Sequence, residues 1–262
     1  DPELDSPRQQ MAPPASAELV FDHVQVQLPG AEAPIVDEVS FRIPPGTTTA
    51  IIGSTGSGKS TLVKLMSRLI DPTAGVVRLG GVDLRELSRQ TVSDLVGLAP
   101  QTATLFSGTV GSNLRFAAPQ ATDEQLREAL EIAQCWDFLP QELAESLAYP
   151  VSQGGANLSG GQRQRLSIAR ALVGGRQIYV FDDALSALDA STEAAVRAGL
   201  ARLQRDSGAS VVMVAQRVSA ITEADQILVI DQGRIVGIGT HAELSETNAV
   251  YRQIIDSQQV TS

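Results

Sequence analysis

The sequence predicts an α/β fold, in which helices pack against a largely parallel β-sheet. Short apolar segments with strand character alternate with segments of helical periodicity along most of the chain. A glycine-rich loop, "GSTGSGKS" at 53–60, lies between one such strand and the helix that follows it. Together, these two observations predict a doubly wound sheet with a loop site at the end of a strand.

The bulk composition narrows the function classes. The chain has 262 residues, of which 43% are hydrophobic, and a formal net charge of −10. A sizeable core is therefore expected, and the acidic balance argues against a nucleic-acid partner. The single cysteine, Cys135, excludes an intrachain disulfide and a cysteine metal cluster. No apolar stretch reaches the roughly 18–20 residues of a membrane span, so we expect a soluble domain.

The first third of the chain reads as strands around one helix. Residues 1–17 are polar and proline-rich and are predicted to be a linker or chain edge. Period-2 alternation predicts strands in 19–28, with His23 in an edge strand, and in 39–43. The remaining expectations are a short buried strand at 47–53, an amphipathic helix at 58–70 and a hairpin at 75–84.

The rest of the chain alternates helices and strands around a helical insert. Helical spacing predicts helices at 122–139 and 159–173, and Cys135 is expected to be a packing residue of the first. His241 is expected in a C-terminal turn. The later elements are predicted as strands at 178–182, 210–215, 226–231 and 234–238, and helices at 191–205, 218–223 and 247–257.

The loop at 53–60 matches G-x-x-x-x-G-K-[ST], the phosphate-binding P-loop, in the strand-then-helix context that the motif requires. Its glycines allow close backbone approach, and the helix N-terminus favours anions. Lys59 would reach the β- and γ-phosphates of ATP, and Ser60 would give an oxygen to Mg²⁺. The predicted ATP-binding residues of this loop are Gly53, Ser54, Thr55, Gly56, Ser57, Gly58, Lys59, Ser60 and Thr61.

A second apolar strand, "IYVFD", ends at two adjacent carboxylates. An acid at the tip of a buried strand, beside a P-loop, is the usual position of the carboxylate that holds Mg²⁺ through water. Asp182 fits this role. The strand pattern by itself does not say what the second carboxylate, Asp183, is for.

"LSGGQ" at 158–162, followed by "RQRLSIARAL", decides the family resemblance. With the P-loop, it makes residues 18–257 resemble the nucleotide-binding domain of an ATP-binding cassette (ABC) transporter, of exporter type. The resemblance implies a P-loop NTPase (RecA-like) core at about 18–100 and 174–246. It further implies an antiparallel β subdomain, an inserted α-helical subdomain at about 101–173, and a tail at 258–262.

The resemblance also implies roles for particular residues. Gln101, in "LAPQTATLF", corresponds to the Q-loop glutamine that touches Mg²⁺ and links to the membrane part. Leu28 takes the position of the residue that packs on adenine. The D-loop, which crosses the dimer seam, corresponds to Ser186, Ala187, Leu188 and Asp189. The signature, which grips the nucleotide of the opposite subunit, corresponds to Leu158, Ser159, Gly160, Gly161 and Gln162.

Three departures from the family pattern fall in one half-site. Asp183 stands where the family usually has Glu, and its side chain is shorter by one methylene, about 1.5 Å of reach. Gln216 stands at the switch position, where a histidine is usual, and a glutamine cannot carry a positive charge. Leu28 replaces the usual aromatic and lacks its stacking, worth about 0.5–1.5 kcal/mol. By the resemblance, the residues that bind the phosphates of the nucleotide are kept. The residues that activate the attacking water, at positions 183 and 216, are weakened.

These departures lead to a hypothesis of a heterodimeric exporter at the cytoplasmic face of the cell membrane. This chain's own site would hold ATP and hydrolyse it weakly, and its signature would complete the competent site of a different chain carrying Glu and His. Transmembrane domains are expected to be fused upstream. Two alternatives stay open: a soluble cassette ATPase outside transport, and a regulatory module that binds ATP without turnover.

Overall fold

The computed structural model of the protein describes Pro14 and residues 16–259. Most of the predicted linker (1–17) and of the predicted tail (258–262) therefore lies outside the described residues. The strands are β1 Leu19–Val26, β2 Val36–Ile43, β3 Thr48–Ile52, β4 Ala74–Leu79, β5 Val82–Asp83, β6 Val96–Ala99, β7 Gly108–Thr109, β8 Pro150–Val151, β9 Ile178–Asp182, β10 Ser210–Val214, β11 Gln226–Asp231 and β12 Arg234–Gly239. The helices are α1 Lys59–Met66, α2 Arg89–Leu95, α3 Val110–Ala117, α4 Asp123–Ile132, α5 Leu143–Ala148, α6 Gly160–Leu172, α7 Ala190–Ser207, α8 His241–Thr247 and α9 Ala249–Gln259.

The chain forms two compact units. The first contains the described residues up to Val96 together with those from Ser210 onward, and the second is Gly97–Ala209. The division into a core at 18–100 and 174–246 and a helical subdomain at 101–173 stays a prediction. Within the part of the chain that the structure describes, no helix is both long and apolar enough to cross a membrane.

The first unit holds an antiparallel sheet with the strand order β2-β1-β4-β5. Its inner face is tied by Phe21 and Phe41, which are opposite in register and stack with ring centroids 4.4 Å apart. The strand that carries His23 is β1, which lies between β2 and β4, so the expectation of an edge strand is wrong. His23 lies at a register shift of β1, with φ of 48°.

The same unit holds the strands that carry the phosphate loop, in the order β12-β11-β3-β10. Strand β3 pairs in parallel with both β10 and β11, and β12 pairs antiparallel with β11. Ala50, Ile51 and Ile52 of β3 are fully buried, as expected for a strand covered on both faces. The P-loop therefore starts from the carboxyl end of a fixed central strand, where ligands of open α/β sheets bind.

In the second unit, β9 lies beside β6, and α3 to α7 make up most of the remaining structure. The apolar residues of β9 are all buried, and Asp182 at its end is partly exposed. The predicted strand 178–182 matches β9 at both ends. Three helices of this unit, α3, α4 and α6, start with a complete capping box.

Three of the predicted helices differ from the observed ones, and one observed helix was not predicted. The helix expected at 58–70 ends at Met66, since Arg68 has φ of 48°. The helix expected at 122–139 stops at Ile132, because Gln134 adopts a left-handed conformation before a 3₁₀ turn at Cys135–Asp137. The helix expected at 218–223 is a 3₁₀ turn, Val218–Ala220. Finally, the C-terminal segment holds two helices, and His241 is the first residue of α8 rather than part of a turn.

Candidate nucleotide-binding site

The phosphate loop connects β3 to α1 within the first unit. Its backbone is crowded at Gly53, where a Cβ atom would overlap the carbonyl oxygen of Ile230 and lie 2.8 Å from Ser57 Oγ. Gly58, the N-cap of α1, has φ of 107°, a conformation open to glycine and strained for other residues. Both glycines of the motif are therefore required by the local geometry, and phosphate binding by this loop stays a prediction.

The loop presents donors to an anion. The N-terminus of α1 has no side-chain cap and no acidic residue in its first turn, so its first N–H groups are not screened by a carboxylate. Ser54, Thr55 and Gly56 are exposed at the top of the loop. Lys59 Nζ donates to the carbonyl oxygens of Gly53 and Ser54, at 2.8 and 2.7 Å. The Lys59 side chain is thus folded back onto its own loop, and it would exchange these hydrogen bonds for contacts with phosphate.

Leu28 lies in the loop between β1 and β2, in the same unit. Leu28 is 54% exposed, so its apolar side chain is accessible to a ligand at this position. Its carbonyl accepts a hydrogen bond from Ala31 N at 3.0 Å, which closes a turn containing Gly30 at φ of 79°. The predicted adenine-side residue is therefore held on a defined turn.

The two aspartates of the second unit have unlike environments. Asp182 ends β9 and is partly exposed, while Asp183 is only 8% exposed and has φ of 51°. Aspartate tolerates this left-handed conformation better than most residues. Gln101 Nε2 donates to Asp183 Oδ2 at 3.3 Å, across 82 positions of sequence. The fold thus brings together two of the predicted site residues, Gln101 and Asp183.

The segment after Asp183 leads into the predicted D-loop. The carbonyl of Asp183 accepts from the Ser186 amide and hydroxyl, at 3.2 and 2.7 Å, and Ser186 and Ala187 are exposed. Asp189 is the N-cap of α7, and its Oδ1 accepts from the amides of Ser191 and Thr192. Hydrogen bonds from Ser191 and Thr192 hold the pKa of the Asp189 carboxyl well below its usual range. This carboxylate is therefore engaged by its own helix.

The predicted signature lies at the start of α6. Ser159 Oγ accepts from Gln162 N at 3.2 Å, and Gln162 Oε1 accepts from Ser159 N at 2.9 Å, which is a capping box. Leu158 is buried, Ser159 and Gly160 are exposed, and the first turn carries no acidic residue. The helix end is thus fixed by its own side chains and open to an anion. This capping box was not among the predicted features, although the spacing Ser-x-x-Gln is its usual signal.

Gln216 follows β10 in the first unit and is exposed. Its backbone carbonyl accepts a hydrogen bond from Gln258 Nε2 at 2.7 Å, and Gln258 Oε1 accepts from Val218 N at 2.8 Å. Sequence reasoning missed Gln258 because nothing in the pattern connects positions 42 residues apart.

The oxygen donors proposed for the cation suit Mg²⁺. Ser60 offers a hydroxyl, Gln101 an amide oxygen and Asp182 a carboxylate, and Mg²⁺ prefers a few such ligands together with water and substrate phosphates. Among the described residues, no cluster of three or more His, Cys, Asp or Glu side chains is arranged to hold a metal by itself.

Comparison with known proteins identifies the family. The model of the ABC transporter family matches residues 36–186. The chain belongs to the ABC transporter family. An uncharacterized ABC transporter ATP-binding protein of Mycobacterium tuberculosis is 46% identical over 237 residues, which cover 89% of this chain and 40% of that protein. An ATP-dependent lipid A-core flippase of Albidiferax ferrireducens is 40% identical over 242 residues, which cover 92% of this chain and 41% of the flippase.

A solved structure agrees with these relatives. The ATP-bound form of a bacterial Atm1-family ABC exporter superposes with a TM-score of 0.89 at 30% identity, over 97% of this chain and 44% of that one. The fold is therefore that of an ABC nucleotide-binding domain, with the P-loop NTPase core that the sequence predicted. The chain spans about two fifths of the length of the curated relatives it matches.

Proposed function

We propose that this chain is the ATP-binding domain of an ABC exporter, powering transport through ATP-driven pairing with a second nucleotide-binding domain. Family membership and the likeness to an exporter with ATP bound support this assignment. The "LSGGQ" helix start supports the second domain, because it is exposed and has no acidic residue in its first turn, so it could face an anion bound by another domain. The export assignment places the domain at the cytoplasmic face of the membrane.

The finer proposal is that this chain's own site retains ATP and hydrolyses it slowly. The carrying observation is Asp183: a short carboxylate, 8% exposed, that already accepts a hydrogen bond from Gln101. Displacing a catalytic group by about 1 Å can cost on the order of 100-fold in rate. Gln216, at the switch position, offers hydrogen bonds but no positive charge for the transition state.

In such a site, some of the retained residues would bind the phosphates and others would hold the metal ion. The P-loop amides and Lys59 would bind the phosphates, and Ser60, Gln101 and Asp182 would hold Mg²⁺, which neutralises charge between the β- and γ-phosphates. Asp183 would accept a proton from water only at long reach. The intact signature of this chain would then serve the site of a partner carrying Glu and His.

A membrane partner is supported by an exposed aromatic pair in the second unit. Phe106 and Phe116 are 45% and 68% exposed, with ring centroids 4.6 Å apart. The Arg170 guanidinium lies 5.6 Å from the Phe106 ring, and burial lowers its pKa. Phe106 is on the loop that begins at Gln101, so a membrane domain seated here would contact the segment that reaches Asp183.

The two alternatives have less support. A soluble cassette ATPase of nucleic-acid metabolism would need a basic contact surface, and this chain carries a net charge of −10. In a regulatory module that binds ATP without hydrolysing it, the intact signature would have no hydrolytic site on a second domain to complete. Neither alternative explains the exposed Phe106–Phe116 pair.

The deciding experiment restores the two weakened positions. We expect the double variant Asp183→Glu, Gln216→His to hydrolyse ATP at least about 10-fold faster than the wild-type chain. The reason is that misplacing a catalytic group by about 1 Å can lower the rate on the order of 100-fold. Asp206→Glu with Gln253→His makes the same chemical changes at exposed positions and should change nothing. Equal rates for wild type and the restored variant would rule out a weakened site.

A further inference from the structure

The C-terminal helix is fastened to the switch segment by one side chain. Gln258 of α9 uses both ends of its amide: Nε2 donates to the Gln216 carbonyl at 2.7 Å, and Oε1 accepts from Val218 N at 2.8 Å. The 3₁₀ turn that begins at Val218 has no side-chain cap of its own from Arg217. An amide from 40 residues further along the chain thus supplies the cap that the turn lacks.

Apolar packing holds the same two segments together. Val218 and Ile221 on the switch side and Tyr251 on α9 belong to one buried cluster, and Ile254 and Ile255 pack against it. Tyr251 is fully buried, and its hydroxyl lies 2.9 Å from His241 Nδ1, which anchors the first turn of α9 to α8. The helix is therefore fixed at its start by Tyr251 and meets the switch near its end through Gln258.

We propose that Gln258 is a positioning residue, through which α9 sets the backbone of the switch segment so that Gln216 faces the γ-phosphate. Gln216 is exposed and lies two residues beyond the end of β10, so its direction depends on how the segment after it is held. That segment is the one held by Gln258. The inference rests on the proposed role of Gln216 at the γ-phosphate, and it makes the C-terminal helix part of the nucleotide site.

The positioning role predicts a selective loss of affinity for ATP when Gln258 is replaced. ADP lacks the γ-phosphate, so its binding should be indifferent to the switch. In the 262-residue chain, we expect Gln258→Ala to weaken binding of Mg²⁺–ATP about 2- to 10-fold, the range that corresponds to one net hydrogen bond, and to leave Mg²⁺–ADP within about twofold. Alanine is a good helix former, so α9 should persist. Calorimetric titration of both nucleotides measures the ratio.

Two further variants sharpen the test. Gln258→Glu keeps the length and the acceptor for Val218 N–H, and replaces only the donor to the Gln216 carbonyl by a carboxylate, so it should lose at least as much ATP affinity as Gln258→Ala. Gln253→Ala is the matched control, because Gln253 is an exposed glutamine of the same helix. It should bind both nucleotides as the wild type does.

The outcomes separate this inference from the proposed function. If Gln216→Ala lowers the preference for ATP and both Gln258 variants leave it unchanged, the positioning role is overturned and the role of Gln216 stands. If Gln216→Ala has no effect on the preference, its role at the γ-phosphate fails, and the inference fails with it. Parallel loss of ATP and ADP binding in both Gln258 variants would show that Gln258 only supports the fold, which also overturns the proposal.

Discussion

The side chain of Asn113 hydrogen-bonds to the backbone of the loop after Gln101, and replacing it tests how much these bonds stabilise the fold. This asparagine of α3 is 2% exposed and makes three hydrogen bonds. Its Oδ1 accepts from Phe106 N at 2.8 Å, and its Nδ2 donates to the carbonyls of Phe106 and Thr109, at 2.8 and 3.0 Å. The side chain therefore fixes the backbone of Phe106, one of the two exposed aromatic residues proposed above to contact a membrane domain.

The expected cost follows from these contacts. A buried hydrogen bond contributes about 0.5–1.5 kcal/mol net, so removing three with Asn113→Ala should lower the free energy of unfolding by about 1.5–4.5 kcal/mol. Asn113→Asp keeps the acceptor for Phe106 N, but it directs a carboxylate oxygen at two carbonyls. At neutral pH we expect it to be at least as destabilising as the alanine variant.

The pH dependence of Asn113→Asp checks the cause. The two carbonyls disfavour the ionised form, so the introduced carboxyl should have a pKa above its unfolded value of about 3.9. Its contribution to stability is then present at low pH and is lost as the pH rises through the folded-state pKa. Urea unfolding at pH 5.5 and pH 8, each relative to wild type, should show a smaller deficit at pH 5.5. A deficit below about 0.5 kcal/mol for Asn113→Ala, or one for Asn113→Asp that is larger at pH 5.5 than at pH 8, would refute the reasoning.

Substitutions at three further positions follow from the geometry. Gly53→Ala should abolish ATP binding in a titration, because the added Cβ would overlap the Ile230 carbonyl; wild-type affinity would contradict the required glycine. Phe116→Ala should keep unfolding within about 0.5 kcal/mol of wild type, since the ring is 68% exposed, and should reduce transport by the assembled exporter; unchanged transport would remove Phe116 from the interface. Asp189→Ala should lower the melting temperature and Asp189→Asn should largely preserve it, as both Asp and Asn cap helices. Because the Asp189 pKa is depressed, its contribution is present above about pH 4 and is lost as the pH falls, so the alanine deficit should shrink in acid.

The sequence predicted those parts of the fold that local patterns specify. Strand β9 was predicted with its observed bounds because its apolar run stops at a carboxylate. The P-loop was recognisable because other residues would clash or be strained at the positions of its glycines, so that these glycines mark the loop in the sequence. Helix ends were less accurate where the backbone turns left-handed at a residue other than glycine. Gln134, with φ of 56°, ends a helical pattern that continues beyond it in the sequence.

Contacts between distant segments lay outside what sequence patterns specify. Gln101 and Asp183 are both recognisable by motif, yet their hydrogen bond spans 82 positions and depends on how their unit folds. Gln258 carries no motif, and its amide becomes significant only because α9 packs on Val218 and Ile221. Helix α8 was missed although Thr240 and Glu243 form a capping box, which is a signal the sequence does contain.

The backbone at Asp183 limits what a single restoring substitution can do. With φ of 51°, this position favours aspartate over glutamate, since a left-handed conformation costs most residues about 1–2 kcal/mol and aspartate less. Asp183→Glu alone should therefore gain about 1.5 Å of reach, raise the ATPase rate and lower the free energy of unfolding by up to about 1 kcal/mol. Its rate should stay below that of the double variant with Gln216→His, because a histidine at position 216, unlike the glutamine, can carry positive charge toward the γ-phosphate. Steady-state ATPase rates and urea midpoints of the two variants compare these effects. A single variant that is as active as the double one would show that the reach of the carboxylate, and not the switch residue, limits this site.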